Sequence, residues 1–87
     1  MYETVDEIFE AAAEVSDELA RTGDSAAAEE IRGVLRSFWT TSTEALGELR
    51  ISLGKAMTLA DGGTLREDVR DRLTGLQQAC TALMNLA

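Results

Sequence analysis

A single apolar stripe, running from Ile31 to Ala60, constrains the fold of this sequence more than any other feature. At the turn of about 100° per residue of an α-helix, its members share one face. They are Ile31, Leu35, Phe38, Ala45, Leu49, Leu53, Ala56 and Ala60. The chain has no proline, the residue that most often ends or kinks a helix. The stripe therefore predicts one continuous helix over residues 25–60, roughly 54 Å long at about 1.5 Å per residue.

Local start and stop signals predict a shorter helix on each side of this long one. Thr4 with Glu7, and Thr64 with Glu67, match the capping box that opens helices, and Gly23 suits a helix end. Apolar residues recur at helical spacing in both flanking segments, and no segment alternates like a strand. We therefore predict a single all-α domain over residues 1–87. Its three antiparallel helices would span about residues 5–22, 25–60 and 64–86.

The length of the central helix predicts a homodimer. Because the connectors are short, each half of that helix would have only one neighbouring helix from its own chain. A two-helix layer leaves much of an apolar stripe in water, and a second copy of the chain could cover it to form a helical bundle. The residues expected at this dimer interface are Phe38, Trp39, Leu46, Leu49, Leu53 and Met57.

The alternative is a break in the central helix near residues 40–43, which would give a monomeric four-helix bundle. Thr41 with Glu44 forms a third capping-box match, and this threonine-rich segment has a weak preference for helix. The continuous helix is favoured because the stripe keeps its helical phase between Phe38 and Leu49. A loop would normally lose that phase.

Small residues recur every seven positions on the opposite side of the central helix. Gly33, Gly47 and Gly54 lie on this line together with Thr40. Glycine inside a helix costs about 1 kcal/mol relative to alanine. The spacing is typical of close approach by another helix, although an unselected surface would also give it.

Acidic residues are concentrated at the start of the chain. The net charge is −8, and residues 1–22 carry seven acidic residues against Arg21 alone. Such a surface repels phosphates, so nucleic acids and anionic membranes are disfavoured as partners, and a basic protein is favoured. The residues expected to form a partner-binding acidic face are Glu3, Glu7, Glu10, Glu14 and Asp17. The sequence favours the plainer interpretation, a solvated face that keeps a thin-cored protein soluble. Arg32 and Arg36 are expected to face Glu10 and Glu14 across the first hairpin and to offset part of the charge.

The residue types argue against catalysis. The chain has no histidine, the usual general base and metal ligand, and no arrangement typical of catalytic, metal or cofactor sites. Cys80 is the only cysteine, and its place in the helical pattern predicts a buried apolar role. A ligand pocket near Trp39 is the least favoured hypothesis.

These patterns predict a cytoplasmic, non-enzymatic protein. An internal disulfide is impossible, the first ten residues lack the apolar run of a signal peptide, and no stretch approaches the roughly 20 apolar residues of a membrane span. The favoured function is a protein–protein interaction or regulatory module that acts as a homodimer. The alternative is an inhibitor or antitoxin-like protein whose acidic first helix binds a basic protein.

Overall fold

The computed structural model describes residues 2–60 and 65–86, and these residues form four α-helices and no strand. The helices are α1 (Val5–Arg21), α2 (Ser25–Arg36), α3 (Ser42–Ala60) and α4 (Glu67–Leu86). The predicted all-α class is therefore confirmed. The number of helices fits the four-helix alternative, and not the favoured set of three. The third predicted start, at Thr64, lies outside the described residues.

The four helices form a closed ring. Each helix packs against the next along the chain, and α4 also packs against α1. The ion pair between Arg66 and Glu18, 2.8 Å from Nη2 to Oε1, joins the chain just before α4 to the last turn of α1. With short connectors between sequential helices, neighbours run antiparallel. The described residues fill a compact volume of 37 × 24 × 18 Å.

The core lies inside this ring and draws on all four helices. Its largest fully buried side chains are Ile8, Val15, Leu19, Ile31, Leu49, Leu53, Leu73, Leu76 and Cys80. Alanines fill the space between them at Ala12, Ala27, Ala28, Ala56 and Ala60. Six of the eight stripe residues are therefore covered within one chain, while Leu35 is half-buried and Phe38 is exposed.

The predicted continuous helix over residues 25–60 is the main difference between sequence and structure. Helix α2 ends at Arg36, α3 begins at Ser42, and the five residues between them are not helical. The Phe38 side chain, which the stripe placed in line with the core, is fully exposed at 102%. The apparent phase across the break therefore arises from two separate helices.

Side chains that follow α2 bond to carbonyl groups at its C-terminal end. The Ser37 hydroxyl donates to the Gly33 carbonyl at 2.8 Å, and the Trp39 indole N–H donates to the Val34 carbonyl at 3.1 Å. The last carbonyls of a helix lack partners in the helix itself, so both bonds favour ending α2 here.

The start of α3 has a cap of its own. The Thr41 hydroxyl accepts a hydrogen bond from the Glu44 backbone N–H at 3.1 Å, and the Glu44 carboxylate accepts one from the Thr40 N–H at 3.4 Å. At α1, Thr4 and Glu7 form the full capping box that the sequence predicted. The third capping-box match therefore marks a real helix start.

The line of small residues divides between two helices. A methyl group added at Gly54 would lie 3.0 Å from Nε2 of Gln77, and one at Gly47 would lie 3.7 Å from Cε of Met84. Both neighbours are the ends of flexible side chains on α4, so α4 lies beside Gly54 and, more loosely, beside Gly47. Among the described residues nothing lies within 4 Å of the position at Gly33, so no helix approaches that end of the line.

Candidate protein-binding surface

The predicted acidic residues share the exposed side of α1 and the segment just before it. Glu3, Glu7, Glu10, Glu14 and Asp17 are all exposed. The strong amphipathicity of α1 produces this arrangement, because its apolar residues turn into the core and leave the carboxylates on the opposite side. The structure thus brings together all five residues of the predicted face.

Two of these five carboxylates bind groups within the chain. The Glu7 carboxylate accepts hydrogen bonds from the backbone N–H groups of Glu3, at 2.8 Å, and Thr4, at 3.0 Å. These bonds hold the pKa of Glu7 below its ordinary value. Asp17 forms an ion pair with Arg32, at 2.7 Å from Oδ1 to Nη2. Glu7 therefore serves the helix start, and Asp17 fastens α1 to α2.

The carboxylates of Glu10 and Glu14 form no ion pair among the described residues. The expectation that Arg32 and Arg36 would offset them is wrong. Arg32 binds Asp17, and Arg36 binds Glu29 on its own helix at 3.1 Å. The middle of α1 therefore keeps unneutralised negative charge on its surface.

The end of α1 differs, because arginines neutralise it. Glu18 pairs with Arg21 on the same helix and with Arg66 from the segment before α4. The hydrogen bond from Arg21 and the charges of the nearby arginines lower the pKa of Glu18. The negative potential of α1 is thus centred on its first three turns.

The six residues predicted for a dimer interface do not share one exposed surface. Leu46, Leu49 and Leu53 are buried in the core of a single chain, while Trp39 and Met57 pack against its edge. Phe38 alone is fully exposed. The unburied stripe that motivated the dimer is therefore absent from this fold, and the dimer itself stays a prediction.

The sequence did not predict a shallow, partly apolar depression beside the acidic face. One part of it, between α1 and α2, is lined by Asp6, Phe9, Glu10, Ala13 and Leu35. A second part shares Asp6 and Phe9 and continues along residues 37–42 to Val5 and Ala45. The depression exists because α2, with 12 residues, is shorter than α1, with 17, and a non-helical segment follows it. The capping-box match at Thr41 was the signal that could have revealed it.

Cys80 lies inside the bundle, as its place in the pattern predicted. Burial raises the pKa of its thiol to about 11. Among the described residues, no group of three or more acidic or cysteine side chains is arranged to hold a metal ion. None of the helices within residues 2–60 and 65–86 is long and apolar enough to cross a bilayer.

Comparison of the chain with protein-family models, with curated proteins and with solved structures finds no match.

Proposed function

We propose that this chain is a non-enzymatic interaction module that binds a basic protein through the acidic face of α1. The observation that carries the proposal is the pair Glu10 and Glu14, which are exposed on the middle of α1 and unpaired among the described residues. Elsewhere on the described surface, acidic and basic residues are closer to balance. Helices α2 and α3 each carry two acidic and two basic residues.

The arrangement of charge on α1 favours binding over simple solubility. Carboxylates four positions apart, such as Glu10 and Glu14, repel each other by a few tenths of a kcal/mol. A cationic partner would relieve this repulsion and would be steered toward the face by its potential. The partner expected from this chemistry is a protein surface rich in lysine or arginine.

The test compares capture of partners by three versions of the protein. The binding variant is Glu10→Gln/Glu14→Gln, which removes two charges and leaves the capping box intact. The control is Glu48→Gln/Asp71→Asn, which removes two charges from exposed positions on α3 and α4. Each of the three versions is immobilised on a resin and incubated with a lysate of the cells that express the protein. The incubation is carried out at about 50 mM and at about 500 mM salt.

We expect one or more basic proteins to bind the unmodified chain and the control at low salt. Binding should fall about tenfold with the α1 variant and at high salt, where the charges are screened. Equal recovery by all three versions, or recovery that is independent of salt, would contradict the proposal.

A further inference from the structure

We propose that the partner presents a basic amphipathic helix, and that the depression lined by Phe9 and Leu35 takes its apolar side chains. The inference rests on the proposed function and deepens it, because it assigns an apolar anchor beside the acidic face. We call this depression the Phe9 groove. Ala13 and Leu35 lie at one end of it, Phe38 lies at the other, and Phe9 lies between them.

The Phe9 groove has an apolar floor that the chain itself leaves partly uncovered. Phe9, Leu35 and Trp39 are half-buried and pack against the core with one side only. Phe38 lines the lower end and is exposed at 102%, an unusual position for a large aromatic side chain. From Val5 to Ala13 the groove follows α1 for about 12 Å at 1.5 Å per residue, which matches two turns of a docked helix.

The rim of the groove selects the charge of its occupant. Asp6 and Glu10 line it on the α1 side, and neither carboxylate forms an ion pair among the described residues. Glu14 lies one turn beyond Glu10 on the same exposed side. Because Glu14 faces a neighbouring depression with Tyr2 and Ala11, a helix seated on Phe9 and Leu35 would bring its flanking residues next to two free carboxylates, those of Asp6 and Glu10. Lysine or arginine at those positions fits, and acidic side chains do not.

A second copy of this chain fits the groove poorly. The net charge of −8 makes two copies repel each other. Each α1 would set its carboxylates against those of its partner if the grooves faced one another. Charge complementarity thus favours a basic partner over self-association at this site.

Two synthetic peptides of about 18 residues separate the apolar contribution from the charge. The first carries leucines along one helical face and lysines elsewhere. The second has serine in place of every leucine and the same charge. Neither contains tryptophan, so the fluorescence of Trp39, which lines the groove, reports binding, and calorimetry gives the Kd.

We expect the leucine peptide to bind at least about tenfold more tightly than the serine peptide, as for an anchor that fills an apolar pocket. Phe38→Ser should weaken the leucine peptide about five- to tenfold and leave the serine peptide unchanged. The matched control is Leu59→Ser, which changes an exposed apolar residue on α3, at 54% exposure, and should affect neither peptide.

The outcomes separate this inference from the proposed function. If both peptides bind equally, and Glu10→Gln/Glu14→Gln weakens both, the acidic face binds cations but the Phe9 groove takes no anchor, and the inference is overturned. If neither peptide binds, both proposals fail. If Leu59→Ser weakens the leucine peptide as much as Phe38→Ser does, binding is unspecific and the assigned groove is wrong.

Discussion

The two connectors that flank α2 differ in what fixes them. The first, residues 22–24, turns the chain through Gly23, whose φ of +92° is the only positive value among the described residues. The second, residues 37–41, contains no glycine and no proline, and it is fixed by the side chains of Ser37, Trp39 and Thr41. The left-handed turn at Gly23, together with a hydrogen bond from the Thr22 hydroxyl to the Leu19 carbonyl at 3.1 Å, sets the first connector. Side-chain hydrogen bonds without any left-handed residue set the second.

This difference bears on function as well as on folding. The glycine turn is short and leaves no large apolar group exposed. The second connector covers the N-terminal half of α1 incompletely, so that Phe9 on α1 is only half-buried. Phe38, in the connector itself, is exposed. The groove therefore lies where the non-helical second connector, and not a further turn of helix, passes beside α1.

The largest effect is expected from converting the second connector into helix. Replacing Ser37, Trp39, Thr40 and Thr41 with alanine removes the bonds that end α2 and begin α3, and it raises helix propensity. Helices α2 and α3 should then join into one helix. The two halves of the chain can no longer fold onto each other, so they should pack against the halves of a second copy. We expect a swapped dimer with twice the 9.4 kDa mass of one chain, measured by light scattering.

Phe38→Ala alone is the control for this experiment, because it changes an exposed side chain and none of the end contacts. It should leave the mass of the protein unchanged. If the alanine variant keeps the mass and helix content of the unmodified chain, tertiary packing and not the connector side chains ends α2.

A smaller effect is expected at Trp39, compared with its neighbour. Trp39→Ala removes a hydrogen bond to the Val34 carbonyl and an aromatic ring that packs against the core. It should lower the free energy of unfolding by about 2–3 kcal/mol. Phe38→Ala should change it by less than about 0.5 kcal/mol, because Phe38 makes no buried contact. Chemical denaturation measures both, and equal losses would show that the connector does not depend on Trp39.

The contrast between the connectors explains how much of the fold was predictable. Gly23 and the Thr4–Glu7 box are local signals, and both helix ends follow from them. The break after Arg36 also had a local signal, at Thr41, but the apolar phase favoured continuity. The spacing of apolar residues over positions 25–60 is the same for one long helix and for two shorter helices that both pack against one core. The hydrogen bonds of Ser37, Trp39 and Thr41, which the spacing of apolar residues does not contain, decide between them.

The exposure of the five predicted acidic residues followed from the sequence, whereas the groove beside them, and the place of Asp6 on its rim, did not. Carboxylates on an amphipathic helix must lie opposite its apolar side, so Glu10 and Glu14 follow from spacing alone. The ion pairs depend on how α2 is rotated and where it ends. That is why Arg32 binds Asp17 and not Glu14, and why Phe9 keeps an open side.

Alanine substitutions at two glycines should change the free energy of unfolding in opposite directions. One glycine lies in the first connector and the other lies inside α2. Gly23→Ala forces a β-carbon onto a backbone at φ +92° and should cost about 1–2 kcal/mol of unfolding free energy. Gly33→Ala meets open space inside α2 and should stabilise the protein by about 0.5–1 kcal/mol. Thermal and chemical denaturation measure both changes. A stabilised Gly23→Ala variant would mean that the first connector does not need its left-handed turn.

The smallest effect is expected from acid pH, which should weaken the capping box at the start of α1. Two backbone N–H groups donate to the Glu7 carboxylate and lower its pKa from the ordinary value of 4.5. Because the folded pKa is the lower one, the stabilisation is complete above the pKa of the unfolded chain. It is lost as pH falls through the folded value. The protection of amides in the first turn of α1, taken relative to their intrinsic exchange rate at each pH, should therefore fall below about pH 4.5 in the unmodified protein. Glu7→Gln keeps an oxygen acceptor without the titrating charge, so that loss of protection should largely disappear. If the variant keeps it, another carboxylate on the acidic face, and not the cap, controls the acid response of α1.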